Sequence, residues 1–119
     1  MPKIFLVEDD AMMLSLLTTL LAMEGFEVAA LPPGEMDVLA EIRRQQPDIV
    51  LLDVKLAQQN GLDVMRAIRR DPELTNLRVV MTSGLNLAQE CLASGANDFL
   101  LKPYLPDDLI TMLKNNLAV

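Results

Sequence analysis

Asp48-Ile49-Val50-Leu51-Leu52-Asp53 is the stretch that decides the fold. Four consecutive apolar residues do not suit a strand with one wet face, which would alternate apolar and polar with a period of two. Such a run is covered on both sides, as the inner strands of a parallel sheet are. Pro47, just before it, closes the preceding helix, because proline cannot continue the helical ladder. Asp53, at the far end, is a carboxylate delivered to the edge of an apolar sheet, and no helix begins immediately after it.

Outward from this strand the chain alternates. Upstream, Lys3-Ile4-Phe5-Leu6-Val7 is a short apolar run that stops abruptly at Glu8-Asp9-Asp10. Residues 11–24 read as a helix rich in Leu and Met, stopped by Gly25, and 26–30 as a second strand. After the turn Leu31-Pro32-Pro33-Gly34, a helix is expected over 35–46 with Met36, Leu39 and Ile42 on its apolar face. Downstream, a loop runs to Gly61, and 62–70 form a helix ended by Asp71-Pro72. Strands follow over 77–82 and 97–101, separated by a short helix over 87–94, and 107–117 form the last helix. Strands alternating with helices predict an α/β chain: one doubly wound, five-stranded parallel sheet of order 2-1-3-4-5 with five helices, the flavodoxin-like arrangement, occupying residues 1–119 as one domain.

Composition excludes several classes of function. The 119 residues carry 17 acids and 10 bases, a net charge of -7, so direct nucleic-acid binding is not expected. Aromatic residues are 3% of the chain, too few for base-stacking platforms. There is no histidine, which removes Ser-His-Asp and Cys-His catalysis and any imidazole-based metal cage. No apolar run is suited to crossing a membrane. The single cysteine, Cys91, cannot form an internal disulfide and suits a reducing cytoplasm.

In sheets of this kind the site lies at the carboxyl ends of the strands. That rule selects Glu8-Asp9-Asp10, Asp53, Thr82-Ser83 and Lys102. Singly, each has an ordinary structural explanation: Asp9 or Asp10 as a helix cap, Thr82 and Ser83 as turn residues, Lys102 as a solvated cation. Together they form a chemical set. Crowded carboxylates at neighbouring strand ends repel one another and need a cation. All-oxygen ligands favour Mg²⁺, with Mn²⁺ as an alternative. A carboxylate beside such an ion can attack phosphorus, with Lys102 as the facing ammonium and the Thr82 hydroxyl as a partner for the attached group.

Val7-Glu8-Asp9-Asp10, Asp53 with Gly61 downstream, Thr82-Ser83, Gly95-Ala96 and Lys102-Pro103-Tyr104, in this order and on these elements, resemble the receiver domain of two-component response regulators. The resemblance covers essentially the whole chain. It implies that Asp53 accepts a phosphoryl group from a phosphohistidine, and that Asp9, Asp53 and the Lys55 backbone carbonyl hold Mg²⁺, with Glu8 acting mostly through water. It further implies that Lys102 binds the phosphoryl group, that Thr82 and Phe99 are the switch pair, that Gly61 is structural, and that the Lys102–Pro103 bond is cis. Beyond self-phosphorylation and self-dephosphorylation at Asp53, no enzyme activity is implied. Output would pass through the face made by the fourth helix, fifth strand and fifth helix.

The chain departs from the family pattern at Ala57, where a proline is usual four residues after the acceptor, and in a slightly short stretch from Thr82 to Lys102. In the first helix, Met13, Leu16, Leu17 and Leu20 form a stripe expected to face the core, while Met12, Leu14 and Met23 widen the apolar arc. The resemblance implies that a histidine kinase or histidine phosphotransfer domain docks there, through Met12 and Leu14. One alternative is a pseudo-receiver, a binding module of the same fold that is not phosphorylated; the intact acids and Lys102 argue against it. Haloacid-dehalogenase-like phosphohydrolases carry Asp-x-Asp-x-Thr after their first strand, and Glu8-Asp9-Asp10-Ala11-Met12 does not match.

Overall fold

The computed structural model describes residues 1–118. Its elements run β1 (Lys3–Val7), α1 (Ala11–Met23), β2 (Glu27–Ala30), α2 (Val38–Gln45), β3 (Ile49–Asp53), α3 (Gly61–Arg70), β4 (Arg78–Ser83), α4 (Ala88–Ala93), β5 (Asp98–Leu101) and α5 (Pro106–Leu117), with a short 3₁₀ turn at Pro72–Leu74 between α3 and β4. All strand pairs are parallel, in the order β2-β1-β3-β4-β5.

Alternation along each strand sorts the core into two layers. Phe5, Val7, Val50, Leu52, Val79 and Met81 face α2, α3 and α4, where Val38, Ile42, Val64, Met65, Ile68 and Cys91 meet them. Ile4, Leu6, Ile49, Leu51 and Val80 face α1 and α5, against Leu17, Leu21, Leu109, Ile110 and Leu113. Every residue of β3 is buried, because both layers close over it. Cys91 lies inside the first layer, and burial pushes its thiol up to about 11.

Two helices, α2 and α1, differ from their expected form, while α4 is short as expected. α2 starts at Val38, three residues later than the pattern suggested, and Met36 is exposed outside it. The Asp37 carboxylate caps the helix by accepting from the Ala40 N–H (3.0 Å), and Glu35 accepts from the amides of Met36 and Asp37 (2.9 and 3.2 Å), so this segment spends its donors on a turn. α4 has only six residues and no side-chain cap, in keeping with the short Thr82 to Lys102 interval. In α1 the buried face is centred on Leu17 and Leu21, not on the stripe through Leu16. Leu16 is 63% exposed and Met12 75% exposed, while Leu14, expected on the outer arc, is half-buried against the core. The helix is apolar nearly all round, so its pattern could not fix the rotation.

Arg69 clamps the turn between α4 and β5. Its guanidinium donates to the Gly95 carbonyl (2.8 Å) and to Asn97 Oδ1 (3.0 Å), and the same Asn97 oxygen accepts from the Val79 N–H (2.7 Å). Gly95 has φ +110°, and a Cβ built on it would stand 2.4 Å from Arg69 Cγ. Gly95→Ala should therefore lower stability by roughly 1–3 kcal/mol through left-handed strain and the collision. Urea unfolding measures this, and Arg69→Ala in the same chain should recover the part due to the collision.

Candidate functional site

Parallel register brings the strand ends together. Val7 pairs with Leu52, Asp53 with Thr82, and Ser83 with Leu101. Glu8 therefore emerges beside Asp53, Thr82 lies on its other side, and Lys102 follows one strand further out. The Lys102 N–H donates to the Ser83 carbonyl (2.8 Å) and the Val54 N–H to the Thr82 carbonyl (2.9 Å), which carry the ladder right up to the site. Thr82 is buried, and Phe99, paired with Met81, is half-buried against the α2–α3–α4 layer.

Lys102 draws two carboxylates to itself. Its Nζ donates to Asp53 Oδ2 at 2.8 Å and to Glu8 Oε1 at 3.1 Å. The other oxygens are also engaged: Asp53 Oδ1 accepts from the Lys55 N–H (3.2 Å), and Glu8 Oε2 from the Asp10 N–H (3.1 Å). The Asp53 and Glu8 side chains are each 8% exposed, and that of Lys102 23%. Burial by itself would lower the Lys102 pKa, but the hydrogen bonds and charges of Asp53 and Glu8 outweigh it and hold the ammonium above the ordinary lysine value. Tyr104, half-buried nearby, is pushed up, first by burial. The Lys102–Pro103 peptide bond is cis.

The remaining acids point elsewhere. Asp10 caps α1, accepting from the amides of Met12 (2.9 Å) and Met13 (3.2 Å). Asp9 is exposed and accepts through Oδ2 from the Ala57 N–H, in the loop between β3 and α3. The cluster of three acids expected around one ion is thus not assembled: among the described residues no group of three or more His, Cys, Asp or Glu side chains stands ready to hold a metal. Two of the carboxylates are neutralised by Lys102, and the third is held by a backbone donor. The donor chemistry still fits a hard cation, since Glu8, Asp9, Asp53 and the Lys55 carbonyl offer only oxygen. The Ala57 amide carried no signal in the sequence, because any residue but proline supplies one.

Two spaces border the end of β3, and Asp53 itself lines only the smaller. On the inner side Glu8, Asp53, Thr82 and Tyr104 leave a crevice of about 10 Å³, room for no more than one water. Outside, an open groove of about 740 Å³ runs between the β3–α3 loop (Val54, Lys55, Asn60) and the β4–α4 loop (Ser83, Gly84, Leu85). A second groove, apolar and about 610 Å³, follows Met13, Leu16, Leu17 and Leu20 of α1 to Lys102, Pro103 and Tyr104.

Residues 4–114 match the family model described as the response regulator receiver domain. The DNA-binding response regulator MtrA of Mycobacterium tuberculosis is 35% identical over 118 residues, covering 97% of this chain and 50% of that protein. The phosphate regulon transcriptional regulatory protein PhoB of Rhizobium meliloti is 35% identical over 96% of this chain and 51% of its own length. The chain thus spans about half the length of these curated relatives. Among solved structures, the BeF3-activated N-terminal receiver domain of Klebsiella pneumoniae RstA superposes with a TM-score of 0.88 at 29% identity, covering 98% of this chain and 99% of that one.

Gly61 opens α3 directly beneath the site. A Cβ there would lie 2.2 Å from the Asp53 carbonyl oxygen and 2.7 Å from Val54 Cα, both backbone atoms that cannot rotate aside. Gly61→Ala should cost about 2–4 kcal/mol in denaturant unfolding and displace the Asp53 and Val54 backbone resonances in NMR spectra. Wild-type stability in that variant would show that α3 does not need to approach so closely.

Proposed function

The chain belongs to the response regulator receiver domain family, and on that premise we propose that residues 1–119 act as one phospho-accepting receiver domain with Asp53 as acceptor. The observation that carries this reading is the Lys102 ammonium held between Asp53 and Glu8 at the carboxyl edge of the sheet. An Asp53 carboxylate oxygen attacks the phosphorus of a phosphohistidine; the P–N bond breaks, and its electron pair leaves with the donor imidazole. Lys102 stays within reach of the acceptor and balances the added negative charge. Asp9, Asp53 and the Lys55 carbonyl, with Glu8 through water, would hold Mg²⁺ or Mn²⁺. When bound, such an ion supplies positive charge to the phosphoryl oxygens.

Attachment of the phosphoryl group shifts a population rather than building a new state. Thr82, beside Asp53 in register, moves its hydroxyl toward the new acceptor oxygens. Phe99, one strand further out, turns into the space released, and the α4–β5–α5 face changes shape. That face is short of polar cover at Leu92 and Leu101, both exposed, which suits an output partner or domain. Donor and phosphorelay chemistry of this kind place the protein in the cytoplasm; among the described residues no helix is long and apolar enough to cross a membrane.

The histidine kinase or histidine phosphotransfer domain docks on α1. Its exposed face, Met12, Ser15, Leu16, Thr19 and Met23, has no charge along the whole helix, although the protein is acidic overall. The groove beside it leads to Lys102. We assign the docking to Met12 and Leu16 in place of Met12 and Leu14, because Leu16 is exposed and Leu14 half-buried.

Treatment with acetyl phosphate and Mg²⁺ should add one phosphoryl group by intact mass, and Asp53→Asn should add none. A wild-type protein that gains nothing from any donor would leave the pseudo-receiver reading in its place. Leu16→Glu should slow transfer from a cognate phosphohistidine donor about tenfold or more and leave the acetyl phosphate rate unchanged. Equal loss with both donors would refute docking on α1.

A further inference from the structure

We infer that the Ala57 backbone amide competes with a divalent cation for the Asp9 carboxylate, so that ion binding at the phospho-acceptor site releases the β3–α3 loop. The inference rests on the reading of Asp9 as a cation ligand and adds what restrains it. Asp9 Oδ2 accepts from the Ala57 N–H. Asp9 also lines a small crevice with Leu31, Gly34, Leu56 and Ala57, apart from the one where Glu8, Asp53 and Thr82 meet. The same loop is anchored on its far side, where Gln59 Nε2 donates to the Met36 carbonyl (3.2 Å). Asp9 is therefore parked against a loop held from two directions, and it is exposed, so water can replace the amide when the carboxylate turns away.

The exchange has a definite sign. A hydrogen bond to a charged acceptor is among the stronger ones, and its donor is lost when Asp9 turns to the ion. Removing the donor beforehand strengthens ion binding. Keeping the donor while changing the side chain leaves it unaltered, because Ala57 acts through its backbone.

Titration of the intact chain with Mg²⁺ alone, followed by calorimetry and amide NMR, tests this. In the wild type the Ala57 amide should shift upfield and exchange faster with solvent as the ion saturates. Ala57→Pro should bind Mg²⁺ about three- to tenfold more tightly, and Ala57→Gly should match the wild type. An Ala57 amide that keeps its shift and protection at saturation overturns the inference, and this measurement needs no variant to fold. So does Ala57→Pro binding no more tightly than wild type. If Asp9→Asn leaves Mg²⁺ affinity unchanged, the ligand reading of Asp9 falls and takes the inference with it. Binding that Asp9→Asn abolishes, with an unresponsive Ala57 amide, removes the inference alone.

Discussion

One ammonium holds two nearly buried carboxylates at the end of a sheet, and the rest of the site depends on that arrangement. Asp53 and Glu8 come from adjacent strands, and their mutual repulsion would open the edge if nothing answered it. Lys102 arrives from β5, two strands beyond Asp53, and reaches back over Thr82 to both. Its own desolvation opposes the placement, and the two acids overcome it. The acids therefore depend on the ammonium: removal of Lys102 would leave two nearly buried carboxylates facing each other with no cation between them.

That ammonium is well placed only because the sheet beneath it is rigid. β3 is closed over by both helical layers, and its neighbours pair with it almost to its end, β1 through the pair of Val7 with Leu52 and β4 through that of Thr82 with Asp53. α3 begins so close under Asp53 that only glycine fits at position 61. The parts that surround this frame are less tightly fixed. α4 is a turn and a half long, and its junction with β5 is tied by Arg69 through Gly95 and Asn97 and by the Ala96 and Asn97 amides. A rigid strand end beside a short helix is the mechanical contrast that the proposed switch would use, since a signal must move something without moving its own binding site.

The acids divide by where their donors lie. Glu8 and Asp53 find a side chain, Asp10 finds the free amides of its own helix, and Asp9 finds a loop amide from a distant part of the chain. An acidic triplet that looks uniform in sequence thus has three different physical fates, and only Glu8 faces the half-buried Lys102 ammonium.

The sequence by itself determined the α/β class, the strand order, the two-sided burial of β3 and the residues that gather at the carboxyl edge. These follow from local periodicity and from connection rules that leave few topologies open. It also indicated that α4 would be short, because the residues between Thr82 and Lys102 are few. What only the tertiary structure decided was direction. The rotation of α1, which buries Leu21 and exposes Leu16, was illegible because an almost uniformly apolar helix has no polar face to orient it. The late start of α2 turned on backbone donors taken by Glu35 and Asp37. The resting partners of the site were hidden for a related reason: Lys102 could be assigned to the edge from its position in the chain, but which carboxylates it would neutralise, and that Asp9 would turn to the Ala57 amide, depends on distances between segments far apart in sequence.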